Sequence, residues 1–366
     1  MRFLIAGLVC LALAIGLTEY TRRHPTTKEP VDEAAGDPAK PKLPKAVAAL
    51  LELAEAGTEP LETDAALAEV LQAPKASPLA GFAPVVEGTF TVRELRGGFG
   101  AALFIVDAGG KSGVVRVASG EPAKLVLSRK APLTALAVDG STVFFAEGGL
   151  VASTHARGGE GLTVRARFKD ATVTSIAAAG DTLVLTLMPR SADPLSTDAV
   201  GAVVALSSQG EVTLIAQDQV RPRAALTDGK DAWWISGFPS GLWRGALDGA
   251  FSSQLTDRAE EPLVLDRDGL YFRAPVGAGP ELKRIGRAGG NLQSIITADV
   301  GAVTASSGVV RVATLGAGAG LLEISGGGEA TKLLDLPASA RGLALGGTTL
   351  FLATQADDGH STVWAK

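Results

Sequence analysis

The sequence of 366 residues predicts an all-β fold built from repeated units of four short strands. Two series of glycine-containing turns and the apolar strands between them predict it. The first series begins at Gly97, Asp139, Gly180, Asp228, Asp268, Ser307 and Gly346. The second series has its glycines at Gly120, Gly159, Gly210, Gly249, Gly290 and Gly327. Both series repeat roughly every 40 residues. A single repeated unit explains this shared spacing better than a set of separate domains does.

Four strands in about 40 residues match the size of a β-propeller blade. The seven turns of the first series favour seven blades, with six and eight as alternatives. The last unit ends at Lys366 before a fourth strand. Residues 85–95 are long enough to supply that missing outer strand and the first inner strand. We therefore expect the two ends of the chain to close the ring, which removes an exposed strand edge.

Both turn series stretch at the same unit, which carries an insertion at residues 188–200 (MPRSADPLSTDAV). Loops on a rigid scaffold often carry binding residues. The insertion is therefore either part of a binding surface or a tolerated surface loop.

The amino terminus, residues 1–24, has the pattern of a targeting segment. Arg2 precedes an uncharged apolar run of 15 residues, 3–17. A membrane-spanning helix needs about 20 apolar residues, whereas the apolar part of a signal peptide has about 7–15. The sequence predicts a signal peptide or, if it is not cleaved, an apolar helical signal anchor that contacts the membrane through residues 3–17. We expect an exported, periplasmic or otherwise extracytoplasmic protein of the cell envelope, released or anchored to the inner membrane.

Residues 25–84 hold nine of the 19 prolines and predict an extended linker before the propeller at 85–366. Two patches of strong helix formers interrupt it, at 45–56 and 63–72. Isolated helices of this length are marginal in water. The sequence leaves three alternatives for these two patches: helices that form transiently in a tether, helices that dock on the propeller, or helices that bind a partner.

One unit carries a recognisable repeat motif. An aromatic pair opens its second strand, an arginine ends the third, and an Asp-Gly turn leads to a leucine. The residues are Trp233, Trp234, Arg244, Asp248, Gly249 and Leu255. This unit resembles the YWTD-type repeat of receptor propellers and of related TolB-like bacterial propellers. The resemblance implies a propeller that binds partners, although receptor members of that class have six blades.

Composition excludes several classes of function. A net charge of −5 excludes a broadly basic nucleic-acid binder. One cysteine excludes a disulfide framework and a cysteine-rich zinc site. The three histidines, His24, His155 and His360, are far apart and match no metal-binding spacing. We therefore predict no metal, no cofactor and no catalytic residue set.

A candidate binding surface follows from the concentration of aromatic side chains in one unit, with arginines nearby in the sequence and the insertion before it. Its residues are Trp233, Trp234, Phe238, Arg221, Arg223, Arg244, Arg190 and Asp193. Packing in the core between blades is the alternative for each aromatic residue.

These observations predict a non-enzymatic propeller of the cell envelope that presents a surface for an unknown protein or small ligand. The alternative is a hydrolase or lyase with its site at the mouth of the central channel. That alternative requires polar and charged side chains to converge at the mouth.

Overall fold

The protein was studied as a computed structural model. It describes residues 44–54, 58–59, 64–77, 79–98, 100–159, 161–193, 196–197, 199–276, 279–325 and 329–366. The predicted signal segment 1–24, its apolar helix and the linker up to residue 43 lie outside the described residues. The domain boundaries drawn from the sequence therefore stay predictions.

The described chain begins with short elements that precede the repeats. They are α1 (Lys45–Leu50), β1 (Thr58–Glu59), α2 (Ala65–Glu69) and β2 (Ala83–Thr89). Both helices are shorter than the patches predicted at 45–56 and 63–72. Asp64 caps α2, because its carboxylate accepts hydrogen bonds from the backbone N–H groups of Ala66 and Leu67.

Seven antiparallel four-stranded sheets follow, each forming one blade. Blade 1 contains β3 (Thr91–Gly98), β4 (Ala101–Ala108), β5 (Lys111–Val117) and β6 (Lys124–Arg129). Blade 2 contains β7 (Ala135–Asp139), β8 (Thr142–Glu147), β9 (Leu150–His155) and β10 (Leu162–Arg167). Blade 3 contains β11 (Ala171–Ala179), β12 (Thr182–Pro189), β13 (Val200–Leu206) and β14 (Val212–Val220). Blade 4 contains β15 (Arg223–Thr227), β16 (Asp231–Ser236), β17 (Gly241–Ala246) and β18 (Ser252–Thr256).

The remaining blades have the same order. Blade 5 contains β19 (Glu260–Asp266), β20 (Gly269–Val276), β21 (Gly279–Ile285) and β22 (Gln293–Thr297). Blade 6 contains β23 (Val300–Ser306), β24 (Val309–Thr314), β25 (Gly320–Ile324) and β26 (Ala330–Asp335). Blade 7 contains β27 (Ser339–Gly346), β28 (Thr349–Gln355), β29 (His360–Ala365) and, from the other end of the chain, β2. The prediction of seven four-stranded blades is confirmed.

The first strands of the seven blades contact one another in sequence and close a ring, β27 against β3. These inner strands surround a central channel. The ring is sealed by β2, which pairs antiparallel with β29 from Ala83 opposite Ala365 to Thr89 opposite His360. The expectation that residues 85–95 supply both an outer and an inner strand is confirmed.

The core is distributed between the blades. Because each sheet is covered on both faces by its neighbours, the second strands are continuously apolar. In β16, all six residues are buried. Trp234 packs with Val184 and Val203 of blade 3, while Trp233 packs with Phe272 of blade 5. The outermost strands are polar instead, as the exposed start of β18 shows.

A β-bulge shifts the register between the first and second strands of six blades, all except blade 2. The bulged residues are Arg93, Glu94, Thr174, Ala224, Ala225, Glu261, Pro262, Gly301 and Arg341. A bulge redirects a side chain that regular pairing would point elsewhere. The bulges lie at equivalent places on the inner strands, so they define a ring of residues around the channel.

The segment 44–82 is called the strap, and its described residues contact the outside of the propeller. Leu50 of α1 packs in the apolar cluster between blades 2 and 3. The strand β1 adds a fifth strand to blade 2 by pairing with β10. Leu67 of α2 packs on blade 1, and Gln72 pairs with Glu87 of β2. Of the alternatives open from the sequence, the described residues of both helices show docking on the propeller.

Candidate functional site

All inner strands begin at the same end of the propeller, which we call the mouth face. The turns between second and third strands and the connections between blades also lie there. The turns between first and second strands, and between third and fourth strands, lie on the opposite face. The insertion and the turn that carries Phe238 both follow second strands, so both belong to the mouth face.

A cavity of about 670 Å³ lies in the channel between the first halves of the inner strands. The charged residues that line it are Arg93, Glu94, Arg96, Glu261, Arg273 and Arg341. Four arginines against two glutamates give this lining a formal excess of two positive charges. Three carboxylates outside the lining, Asp107, Glu260 and Asp299, pair with two of these arginines, so the excess concerns the lining residues alone.

Two of these arginines are held by neighbouring carboxylates. Arg93 pairs with Asp107 and also donates to the backbone carbonyl of Leu133 in the next blade. Arg273 lies 2.7 Å from Glu260 and 3.2 Å from Asp299. These ion pairs tie strands and blades together, so both arginines have structural roles.

Arg223 and Glu261 form a looser pair at the rim of the channel. Their closest nitrogen and oxygen atoms are 3.8 Å apart, and Arg223 also donates to the hydroxyl of Ser240 at 2.9 Å. Burial lowers the pKa of the Arg223 guanidinium, and the carboxylate of Glu261 opposes that shift.

Glu94 is a channel acid whose pKa is perturbed by its surroundings. Its carboxylate accepts a hydrogen bond of 2.8 Å from the backbone N–H of Leu136 and lies 3.7 Å from Arg96. Burial raises the pKa of Glu94, and the charge of Glu261 raises it further. Arg96, the Leu136 N–H and Arg93 act in the other direction without cancelling the effect.

Arg96 and Arg341 bring the least compensated charge into the cavity. Arg96 donates from Nε to the Leu136 carbonyl at 3.3 Å, and 37% of its side chain is exposed. Arg341 is exposed and forms no ion pair or hydrogen bond with any residue that the structure describes. A guanidinium without a partner beside a cavity is suited to an anionic ligand.

The predicted site residues separate into two groups. Trp233 and Trp234 are fully buried, and their indole N–H groups donate to the Arg287 carbonyl and the Gln219 side chain. They belong to the core and are not part of the candidate binding surface. Arg244 pairs with Asp231 at 2.7 Å and lies toward the opposite face.

The remaining candidates lie on the mouth face. Phe238 is 71% exposed at the tip of its turn, and Arg190 and Asp193 are exposed in the insertion. Arg221 and Arg223 lie between these two segments in the sequence, at the start of blade 4.

Backbone hydrogen bonds join the turn of Phe238 to the insertion. The N–H of Gly237 donates to Val220, and the N–H of Arg221 donates to Ala199. We call Phe238, Arg221 and Val200, which is 40% exposed, the Phe238 patch. An exposed aromatic residue beside an arginine is a common feature of binding surfaces.

The channel residues Glu94, Arg96, Glu261 and Arg341 were missed by the sequence reasoning. Their signal was charge inside short segments that otherwise predict buried inner strands, as in TVRELRGG and SARGLALG. The sequence alone did not show the bulges that turn these side chains toward the channel.

Chemical groups for metal binding do not converge in the described part of the chain. No cluster of three or more His, Cys, Asp or Glu side chains is present among those residues. His155 and His360 lie on the third strands of blades 2 and 7 and do not line the cavity. The hydroxyl of Ser175, in the channel, accepts a hydrogen bond from the Ala225 N–H.

No family profile matches the sequence. No curated protein matches it either. Solved structures match in large number, and they define the class of protein as a β-propeller.

Three examples show the range. An oligogalacturonate lyase from Vibrio parahaemolyticus has a TM-score of 0.59 and 10% identity, over 86% of this chain and 98% of that one. The WD40 propeller domain of Doa1 has a TM-score of 0.55 and 12% identity, over 78% of this chain and 96% of that one. TolB from Acinetobacter baumannii has a TM-score of 0.49 and 15% identity, over 66% of this chain and 65% of that one. Identities this low show the fold alone, and a propeller fold does not separate enzymes from binding proteins.

Among the residues that the structure describes, neither helix has the length and apolar content to cross a membrane.

Proposed function

We propose that the protein is a non-enzymatic propeller of the cell envelope that binds a ligand or a protein partner at its mouth face. The observation that carries this proposal is the channel cavity, where Arg341 has no ion-pair partner among the described residues and the nearest carboxylate oxygen to Arg96 is 3.7 Å away. Elsewhere in the channel, arginines and carboxylates are paired with one another. A site that holds guanidinium donors toward a cavity supports binding of a ligand.

The location in the envelope rests on the sequence pattern of residues 1–24. Fractionation of cells that express the full chain tests it. The protein should appear in the periplasmic or membrane fraction, and recovery in the cytoplasmic fraction would contradict the proposed location.

Site-specific photo-crosslinking tests the binding face. A photoreactive phenylalanine analogue replaces Phe238 on the mouth face or, as the matched control, Leu292, which is 49% exposed in a turn of the opposite face. We expect a discrete crosslinked species from position 238 and none from position 292. Equal crosslinking from both positions, or crosslinking from position 292 alone, would overturn the proposal.

A second candidate function is supported by one observation. The converging charged groups that the hydrolase or lyase alternative requires are present, and a carboxyl with a raised pKa, Glu94, lies among them. Such a group suits general acid–base catalysis near neutral pH. Oligogalacturonate, named for the lyase of the same fold, is a first substrate to assay. Turnover that Glu94→Gln abolishes would support the enzyme, and no turnover would leave the binding role.

A further inference from the structure

We propose that the channel binds a small ligand with two or more carboxylate groups, held between Arg341 of blade 7 and Arg96 of blade 1. This inference rests on the proposed function, because it takes the mouth face as the binding face. It adds the chemical class of the ligand and the two side chains that hold it.

The two arginines lie on inner strands that touch. A Cβ atom at Gly342 would lie 2.7 Å from the Leu95 Cβ, so β27 and β3 approach closely at this level. Arg341 precedes Gly342 and Arg96 follows Leu95. Both side chains line the same cavity. The seam between the first and last blades therefore places both arginines on adjacent inner strands, with the Arg96 guanidinium reaching the Leu136 carbonyl of blade 2.

Neither guanidinium group has a close carboxylate partner in the part of the chain that the structure describes. The other arginines of the lining, Arg93 and Arg273, each have close carboxylate partners. Arg341 has none among the described residues, and the nearest carboxylate oxygen to Arg96 is 3.7 Å away. A guanidinium that keeps free donors in a partly enclosed site can give them to a ligand.

The opposite part of the bulge ring is small and leaves room. Thr174 of blade 3 and Ala224 and Ala225 of blade 4 line the side of the cavity across from Arg341. The volume of about 670 Å³ falls within the range of small-molecule sites. The space is enclosed by inner strands, so it admits a small molecule or a narrow chain end and excludes a folded partner.

Carboxylates fit the donors, and the two glutamates of the lining favour them over phosphates, which carry more negative charge per group. The planar guanidinium presents parallel N–H groups that match the two oxygens of a carboxylate. Two guanidinium groups that line one cavity match a ligand with at least two carboxylates. Glu94 and Glu261, which also line the cavity, disfavour a ligand that brings a dense block of negative charge.

Titration calorimetry on the purified full chain tests the inference with two probes, citrate and inorganic pyrophosphate. We expect citrate to bind and Arg341→Ala to weaken it by about tenfold or more, the effect of losing a charged hydrogen bond. Arg341→Lys should lie between, because it keeps the charge and loses the paired donors. The matched control is Arg267→Ala, which removes an exposed arginine from a turn of the opposite face and should leave citrate binding unchanged.

Three results would overturn the inference: no binding of citrate, tighter binding of pyrophosphate than of citrate, or equal loss in Arg341→Ala and Arg267→Ala. Arg341 is exposed, so we expect its variant to fold, and a melting curve checks this. Failure here can be told from failure of the proposed function. Crosslinking from position 238 with no binding of citrate rejects the carboxylate site alone, whereas citrate binding lost in Arg341→Ala supports that site whatever crosslinking shows.

Discussion

Single residues determine how closely neighbouring blades approach. Aspartates in or next to the recurring turns connect one blade to the next: Asp139 accepts a hydrogen bond of 2.6 Å from the Gly180 N–H, and Asp266 accepts one of 3.0 Å from the Gly308 N–H. At the seam between blades 7 and 1, a Cβ atom on Gly97 would lie 1.8 Å from the Leu345 carbonyl oxygen. The turn residues that reveal the repeat in the sequence therefore also hold the ring together.

Gly97→Ala tests the close approach at the seam. The added methyl group has no room, so the inner strands must separate, and we expect a loss of about 1–3 kcal/mol or more in the free energy of unfolding. Gly161→Ala is the matched control, because its Cβ would meet nothing within 4 Å. It should change stability by less than about 0.5 kcal/mol. Urea unfolding measures both, and equal effects would contradict the account.

Glu94 gives a prediction about pH. Its pKa is raised in the folded protein by burial and by Glu261, against the opposing effects of Arg96, Arg93 and the Leu136 N–H. The folded state therefore holds a proton that the unfolded chain has released, and stability falls as pH rises from the unfolded pKa through the folded pKa.

Glu94→Gln removes this titration and keeps an acceptor for the Leu136 N–H. We expect the variant to gain stability relative to the wild type as pH rises from about 4, its ordinary range, toward neutrality. Urea unfolding at several pH values measures the difference. A difference that stays constant with pH, or that shrinks as pH rises, would show that the carboxyl is not perturbed in this way.

At the scale of elements, the short helices of the strap depend on the propeller for their structure. With six and five residues, α1 and α2 are far below the length at which a helix is stable alone. Each inserts one buried leucine, Leu50 at 4% and Leu67 at 1% exposure. The Leu67 side chain packs against Gly113, because a Cβ atom added to Gly113 would lie 2.6 Å from that side chain.

Leu67→Ala should therefore destabilise the protein by about 2–5 kcal/mol, the usual cost of removing a buried leucine. Leu292→Ala removes the same atoms from an exposed position and should be nearly neutral. Thermal and urea unfolding of the two variants give the comparison. A neutral Leu67→Ala would mean that α2 does not dock in solution.

The repeat was predictable because its turns need glycine or aspartate at fixed intervals. The closure by residues 85–95 followed from counting strands. The bulges were not predictable, because one extra residue moves side chains to the other face of a strand without changing its composition. For this reason Arg341 and Glu94 were missed. Trp233 and Trp234 were ambiguous because a strand between two blades is buried on both faces, so alternation gives no surface signal.

At the scale of the whole molecule, β2 closes the ring and the strap that precedes it adds contacts on the outside. Blade 7 joins β2 to β29, and the strap crosses the outer sides of blades 3, 2 and 1 before entering that blade. The pairing of β2 with β29 acts at the seam, and the strap extends from there over blades 1 to 3. The cavity lies inside the same ring, so its shape depends on this closure.

Removal of the strap tests this dependence. A chain that begins at Phe82 keeps β2 but loses the burial of Leu50 and Leu67, so it should be less stable than a chain that begins at Pro44 by about 3 kcal/mol or more. Differential scanning calorimetry of the two chains measures the difference. Equal melting temperatures would contradict a stabilising role for the strap.

The central claim is that the mouth end of the channel is a site for anionic ligands. The most direct measurement is a crystal structure of the full chain with 5-bromoisophthalate, a dicarboxylate whose bromine is located by anomalous scattering. We predict a bromine peak inside the channel with the carboxylates on Arg341 and Arg96. Bromine peaks confined to the opposite face or to the outer strands, with the channel empty, would contradict the claim.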